Sequence, residues 1–272
     1  MKAWIAKRPV VAYYLLTLVL SWGYWITLIA QGKQVTPGSS TSHLPGLMGP
    51  ALAAIVITMA IDGGSGLREL SSRIVRLRPA WPWGILAALS PLPVAVVIFA
   101  AMTTSGEPLP PLQDFLTYPG LPATMSAGAT LLGVLILNGY GEEIGWRGFV
   151  MEKWLPRYGR FGTTIRLAGL WLFWHAPVFL LNQTMAALIG PMLLGWAFGL
   201  TCGAFVLAQI YLFSGRSILV LALWHATYNM TVATPATTGF PAAAISTAVM
   251  VWGVIVAWKW WREDRAHGIS SA

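Results

Sequence analysis

Eight stretches of the chain, residues 10–31, 45–62, 83–103, 122–153, 163–181, 185–213, 216–233 and 239–261, are apolar for close to the length a helix needs to cross a bilayer. About 20 helical residues span the hydrocarbon core, and inside it the backbone N–H and C=O groups have no water to bond. A chain built this way folds as an all-α, polytopic membrane protein with about eight transmembrane helices, a single integral-membrane domain over residues 1–272. Charged residues make up only 10% of it, against about 25% in an ordinary soluble domain.

The basic residues then fix its orientation. Of 17 Lys and Arg residues, all but Lys33 are assigned to one face. Lys2, Lys7 and Arg8 precede the first span, and Arg68, Arg73, Arg76 and Arg78 follow the second. Arg147, Lys153, Arg157, Arg160 and Arg166 cluster around the end of the fourth, Arg216 follows the sixth, and Lys259, Arg262 and Arg265 lie in the tail. Cytoplasmic loops carry such an excess, so the span number is even and both termini are cytoplasmic. The net charge of +8 is therefore a topology signal. Membrane lipids and a membrane-anchored protein or peptide are the expected partners, and nucleic acid is not. The basic N-terminus has no small-residue cleavage site, which predicts a retained first span. Cys202 lies mid-span and reads as a small buried apolar residue.

Leu67, Leu70, Ile74 and Leu77 recur at helical spacing among Arg68, Arg73, Arg76 and Arg78. The pattern predicts a basic amphipathic helix over about 66–78, lying on the cytoplasmic leaflet or packed against the bundle.

Against this apolar background, the run GEEIGWRGFV places Glu142, Glu143 and Arg147 inside the fourth span. Ionisable groups at such depth cost roughly 2.5–3.5 kcal/mol each. His175 in WLFWHAP, and His225 with Asn229 in LWHATYN, repeat the anomaly on two further spans. At the helical rise, Glu142 lies roughly 15–20 Å below the inner surface, His175 roughly 18 Å, His225 roughly 13 Å and Asn229 roughly 20 Å. The four share one layer. Glu143 and Arg147 stand at i and i+4, the spacing of an ion pair, while Glu142 points about 100° away and is left free. His225 and Asn229 share a stripe of their own helix. A buried carboxylate beside a histidine can activate water, and histidine and asparagine donors can hold an oxyanion. Together these parts fit hydrolysis of a peptide or amide bond in a membrane cavity. Taken singly, each reads as a helix-packing contact, and spacing alone does not separate a hydrolase from a carrier.

E-E-x-x-x-R, then an aromatic four residues before a histidine, then H-x-x-x-N, in that order from about Tyr140 to Met230, resemble the motifs of the CPBP family. This family comprises CAAX proteases and bacteriocin-processing proteins and is also called the Abi family. The resemblance implies an intramembrane endopeptidase of the type II CAAX prenyl endopeptidase kind, with its catalytic core at about 122–233. It implies that Glu142 and His175 position and activate the attacking water, that His225 and Asn229 hold the oxyanion, and that Glu143 and Arg147 shape the site. The family's second motif usually begins with Phe. Here the residue is Trp171, which changes the cavity's shape more than its chemistry.

Glu142, His175 and His225 also offer two imidazoles and a carboxylate to a divalent metal such as Zn, with a position open for water. H-E-x-x-H is absent, and a metal-independent glutamate mechanism stays open beside it. The expected site is reached from the cytoplasmic side of a bacterial-type plasma membrane. Its substrate is a membrane-associated protein or peptide, prenylated CAAX C-termini being the family's best-known case. The alternative is a non-enzymatic immunity or partner-binding protein on the same fold. A solute carrier would be expected to show an internal repeat, and the sequence has none. The N-x-T sequons at Asn182 and Asn229 are chance matches, one in a tight turn and the other inside a span.

Overall fold

The computed structural model describes residues 2–76 and 82–266. Among the described residues, five helical stretches are long and apolar enough to cross a membrane: Pro9–Ala30, Leu44–Ile74, Ala127–Leu181, Pro191–Phe213 and Phe240–Ala266. Pro91–Thr104 and Ile218–Val232 are shorter apolar helices. The stretch Ala127–Leu181 is a hairpin. Gly159, at φ 66° and ψ −172°, breaks the helix Glu152–Trp174, a conformation open to glycine because it has no Cβ. Beyond it the chain doubles back, so that Trp146 meets Trp174 with ring centroids 5.6 Å apart and Trp171 reaches Glu142. With the two arms of that hairpin taken separately, the eight apolar segments of the sequence are all present. The fold is all-α and polytopic, as expected.

The bundle has two chemically different ends. At one, the connections are tied by backbone bonds. The Val35 N–H donates to the Leu181 carbonyl at 2.9 Å, and the Ala123 N–H to that of Gly38 at 3.2 Å. The short helix Leu112–Leu116 packs beside Pro235–Thr237 at the same end. At the other end the ties are ionic: Lys153 with Asp62 at 3.1 Å, Arg216 with Glu152 at 3.0 Å, and Arg160 with Glu263 at 2.7 Å.

The basic amphipathic stretch continues the helix Gly49–Ile74 past a break at Gly63. Leu70 is buried, and Arg73 turns inward to donate to the Gly148 carbonyl and the Tyr211 hydroxyl, each at 3.2 Å. Arg76 donates to the Gly215 carbonyl at 2.9 Å, whereas Arg68 is exposed. Two of the arginines thus pin this segment to the bundle. Leu77 and Arg78 lie outside the described residues.

The arm that carries the glutamates is wound loosely. Wide π-helical turns, Val134–Tyr140 and Trp146–Met151, bracket the α-helical Gly141–Gly145. Such turns are frequent at functional sites. Glycines let neighbouring helices approach this arm closely from two sides. A Cβ on Gly139 would stand 2.6 Å from the Ala222 carbonyl oxygen, and one on Gly145 2.3 Å from the Tyr13 hydroxyl and 2.7 Å from the Pro50 backbone. Gly145→Ala is therefore expected to destabilise the bundle by about 1–3 kcal/mol through overpacking. The check is the thermal unfolding midpoint in detergent, compared with Gly169→Ala, where an added Cβ meets open space.

Candidate active site

Glu143 and Arg147 are both fully buried, and the guanidinium Nη1 donates to the two carboxylate oxygens at 3.0 and 3.1 Å. The ion pair read from the spacing is present, and it has a third member. His225 Nδ1 lies 2.8 Å from Glu143 Oε1. A carboxylate only accepts, so Nδ1 carries a proton and Nε2 is the nitrogen left for the cavity. The guanidinium also lies over the Trp171 ring, 4.8 Å from its centroid, a cation–π contact.

Glu142 is the carboxylate outside this cluster, as the helical geometry predicts. It accepts the Trp171 indole N–H at 2.6 Å. His175 caps the helix Glu152–Trp174, with Nδ1 2.7 Å from the Trp171 carbonyl oxygen. That carbonyl can only accept, so here too Nδ1 is protonated and Nε2 is available. Trp171 therefore holds the carboxylate with its side chain and the imidazole with its backbone, a more specific task than shaping the cavity. On the third element, Asn229 Nδ2 donates to Asn138 Oδ1 at 2.6 Å. One of its two amide hydrogens is used in this way, and the amide plane is fixed.

Glu142, Trp171, His175, His225 and Asn229 line a single cavity of about 250 Å³. Glu143 and Arg147 stand behind it. Three further lining residues, Asn138, His43 and Tyr118, escaped the sequence reading. Asn138 gave the usable signal, a polar residue in the apolar run one helical turn before Glu142. His43 and Tyr118 come from connections remote in sequence, and no spacing could have brought them here. Burial drives the His43 imidazole down to about 4, so it is neutral. Burial first, and then the charge of Glu142, push the Tyr118 hydroxyl up, while its hydrogen bond with Asn229 pulls the other way. It stays an O–H group beside the Asn229 amide. Among the described residues, no three His, Cys, Asp or Glu side chains converge closely enough to hold a metal ion. Glu142, His175 and His225 do not make a zinc ligand set as they stand.

The cavity is lopsided along the bundle. The lining residues drawn from connections are His43, Tyr118, Pro119, Asn182, Thr184, Met185 and Ala233. All belong to the end whose only basic residue is Lys33. Glu142 at 2% and His225 at 5% are buried, as are His43, Tyr118 and Asn182 at that end, while Thr184 is exposed and Gly199, Leu200, Gly203, Ser246 and Met250 on the spans are half-buried. Toward the basic end, the fully buried Trp146, Arg147, Val150, Tyr211 and Ile218 close the site. Nothing in this lining supports the expected access from the cytoplasmic side.

Residues 124–231 match a family model described as Type II CAAX prenyl endopeptidase Rce1-like. CAAX prenyl protease 2 of Methanococcus maripaludis is 24% identical over 182 residues, an alignment that covers 63% of this chain and 63% of that protein. Both findings bear out the resemblance to the CPBP family that the three motifs carry. The matched span holds Glu142, Trp171, His175, His225 and Asn229.

Proposed function

We propose that this relative of the type II CAAX prenyl endopeptidases is an integral-membrane endopeptidase that hydrolyses a peptide bond with water activated by Glu142. The observation that carries the reading is the role of Trp171. It fixes Glu142 and His175 together on one wall of a cavity that His225 and Asn229 also line. A general base and the groups that orient its water are thereby held in place before substrate arrives.

In the reaction, a water molecule hydrogen-bonded to His175 Nε2 gives a proton to the Glu142 carboxylate as its oxygen bonds to the scissile carbonyl carbon. The carbonyl oxygen becomes an oxyanion. It accepts from the second Nδ2 hydrogen of Asn229 and from Nε2–H of a His225 imidazolium, with the Tyr118 hydroxyl in reach of the same amide. With His225 protonated, Glu142, Glu143, Arg147 and His225 carry two negative and two positive charges, so the buried group is neutral overall before the proton moves. The C–N bond then breaks, and Glu142 passes its proton to the departing nitrogen. One new carboxyl group and one new amine result.

The test is cleavage of membrane-anchored peptides by the purified protein in nanodiscs. Prenylated CAAX-type C-termini come first because the relatives are named for them. Cleavage is expected to survive exhaustive treatment with a chelator. Loss of activity on chelation, restored by added zinc, would move the first step from Glu142 alone to a metal.

A further inference from the structure

At its basic end the helix Phe240–Ala266 has two faces with different partners. One is turned into the bundle. Trp260 is buried beside Phe205, and the Arg160 guanidinium lies 5.6 Å from the centre of its ring while Nη2 reaches Glu263 Oε2 at 2.7 Å. Buried Asp264 accepts the Phe161 backbone N–H at 2.8 Å. Phe161 stands in the first turn after the break at Gly159, where a helix has N–H groups without intrahelical acceptors and a carboxylate is favourable. The arm that begins there ends at Trp171 and His175, so this clamp fixes the start of the segment that holds Glu142. The other face is exposed. Val251 and Ile255, then Trp258 and Trp261, then Arg262 and Arg265 recur along it at spacings of three and four. Apolar, then tryptophan, then arginine is the order in which a helix leaves hydrocarbon for the headgroups. Both guanidiniums lie on indole faces, Arg262 4.8 Å from the Trp258 centroid and Arg265 4.9 Å from that of Trp261, contacts that hold the two cations in place. Among the described residues neither has a carboxylate within ion-pair distance, and exposed Lys259 beside them is 4.0 Å from Glu263, which Arg160 already engages.

We propose that Arg262 and Arg265, with Lys259 beside them, bind the phosphate of an anionic phospholipid in the leaflet at the basic end, and that the bound lipid steadies the clamp on Phe161 and raises turnover. A planar guanidinium fits phosphate through paired N–H donors. The excess of Lys and Arg at this end makes it cytoplasmic, and anionic lipids give the cytoplasmic leaflet its negative surface. A free phosphate ion would meet the same two forks, but exposed Val251 and Ile255 beyond the tryptophans offer acyl chains a path that only a lipid can use. Helix ends fray, and Glu263 and Asp264 lie between Arg262 and Arg265 in the chain. A headgroup that holds both arginines therefore also holds the turn that carries the clamp. The effect on turnover rests on the hydrolase reading. The lipid site does not.

Native mass spectrometry of the protein released from detergent tests the site, with phosphatidylglycerol, phosphatidylcholine and inorganic phosphate as probes. Phosphatidylglycerol is expected to be retained in preference to phosphatidylcholine. The double variant Arg262→Gln, Arg265→Gln is expected to bind it about 25-fold more weakly, roughly fivefold for each charge removed near the headgroups. Equal retention of the two lipids, or a variant that keeps phosphatidylglycerol like the parent, overturns the proposal. Inorganic phosphate that binds as tightly as phosphatidylglycerol would make this a free-anion site and overturns it too. Turnover is then measured in phosphatidylcholine nanodiscs with and without phosphatidylglycerol. The parent is expected to speed up, and the double variant to keep the parent's rate in phosphatidylcholine but lose the response. Asp264→Ala keeps both arginines and is expected to bind phosphatidylglycerol yet lose the response as well. An equal response in all three proteins would be an effect of bulk membrane charge and overturns the coupling. If the arginines bind phosphatidylglycerol but no peptide is cut in any bilayer, the lipid site stands while the coupling falls with the hydrolase reading.

Discussion

Glu142→Gln is expected to insert and fold like the parent and to cleave about 10²–10⁴-fold more slowly, the range a positioned general base contributes. The substitution keeps the volume and leaves an oxygen to accept the Trp171 indole N–H, which now reaches Glu142 at 2.6 Å. It breaks none of the hydrogen bonds that join Glu143, Arg147 and His225, and His225 can give up a proton to keep the buried group neutral. Thermal unfolding in detergent should therefore barely move while product formation is lost. A variant that unfolds as readily as it loses activity would make Glu142 a packing residue.

Glu143→Ala and Arg147→Ala are expected to behave in the opposite way. Each breaks a buried ion pair, a loss of about 3–5 kcal/mol; Glu143→Ala strands the Arg147 charge, and Arg147→Ala leaves Glu143 with His225 as its remaining partner. Arg147 is especially exposed to this, because its Nε and Nη2 have no hydrogen-bond partner among the described residues. What holds it is the Glu143 carboxylate and the face of Trp171. Yield and unfolding temperature should fall steeply in both single variants. Replacing both residues by leucine removes the two charges together and is expected to recover most of the lost stability, since buried pairs are often matched by apolar residues of similar volume. Activity should not return, because His225 Nδ1 would have lost the carboxylate that orients it. Recovery of both stability and activity in the double variant would show that His225 needs no such support.

The sequence carried the class of fold, and it singled out polar residues that prove to line one cavity, for a clear physical reason. In an apolar chain each polar group is conspicuous, and helical periodicity says which of them share a face. The i, i+4 pairing of Glu143 with Arg147, and the separation of Glu142 from it, could be read in this way and hold in the structure. Spacing along one helix cannot see across to another. The bridge from Glu143 to His225, the double role of Trp171 and the Asn138–Asn229 amide pair all join different segments.

The account rests on water, activated at Glu142, entering a peptide bond inside the membrane. The direct measurement is digestion of membrane-anchored peptides by the reconstituted protein in H₂¹⁸O, with the products weighed by mass spectrometry. A single ¹⁸O in each newly formed carboxyl group, and no such product from the folded Glu142→Gln protein, is the predicted result. Products formed at the parent rate by Glu142→Gln, or new carboxyl groups without ¹⁸O, would contradict it.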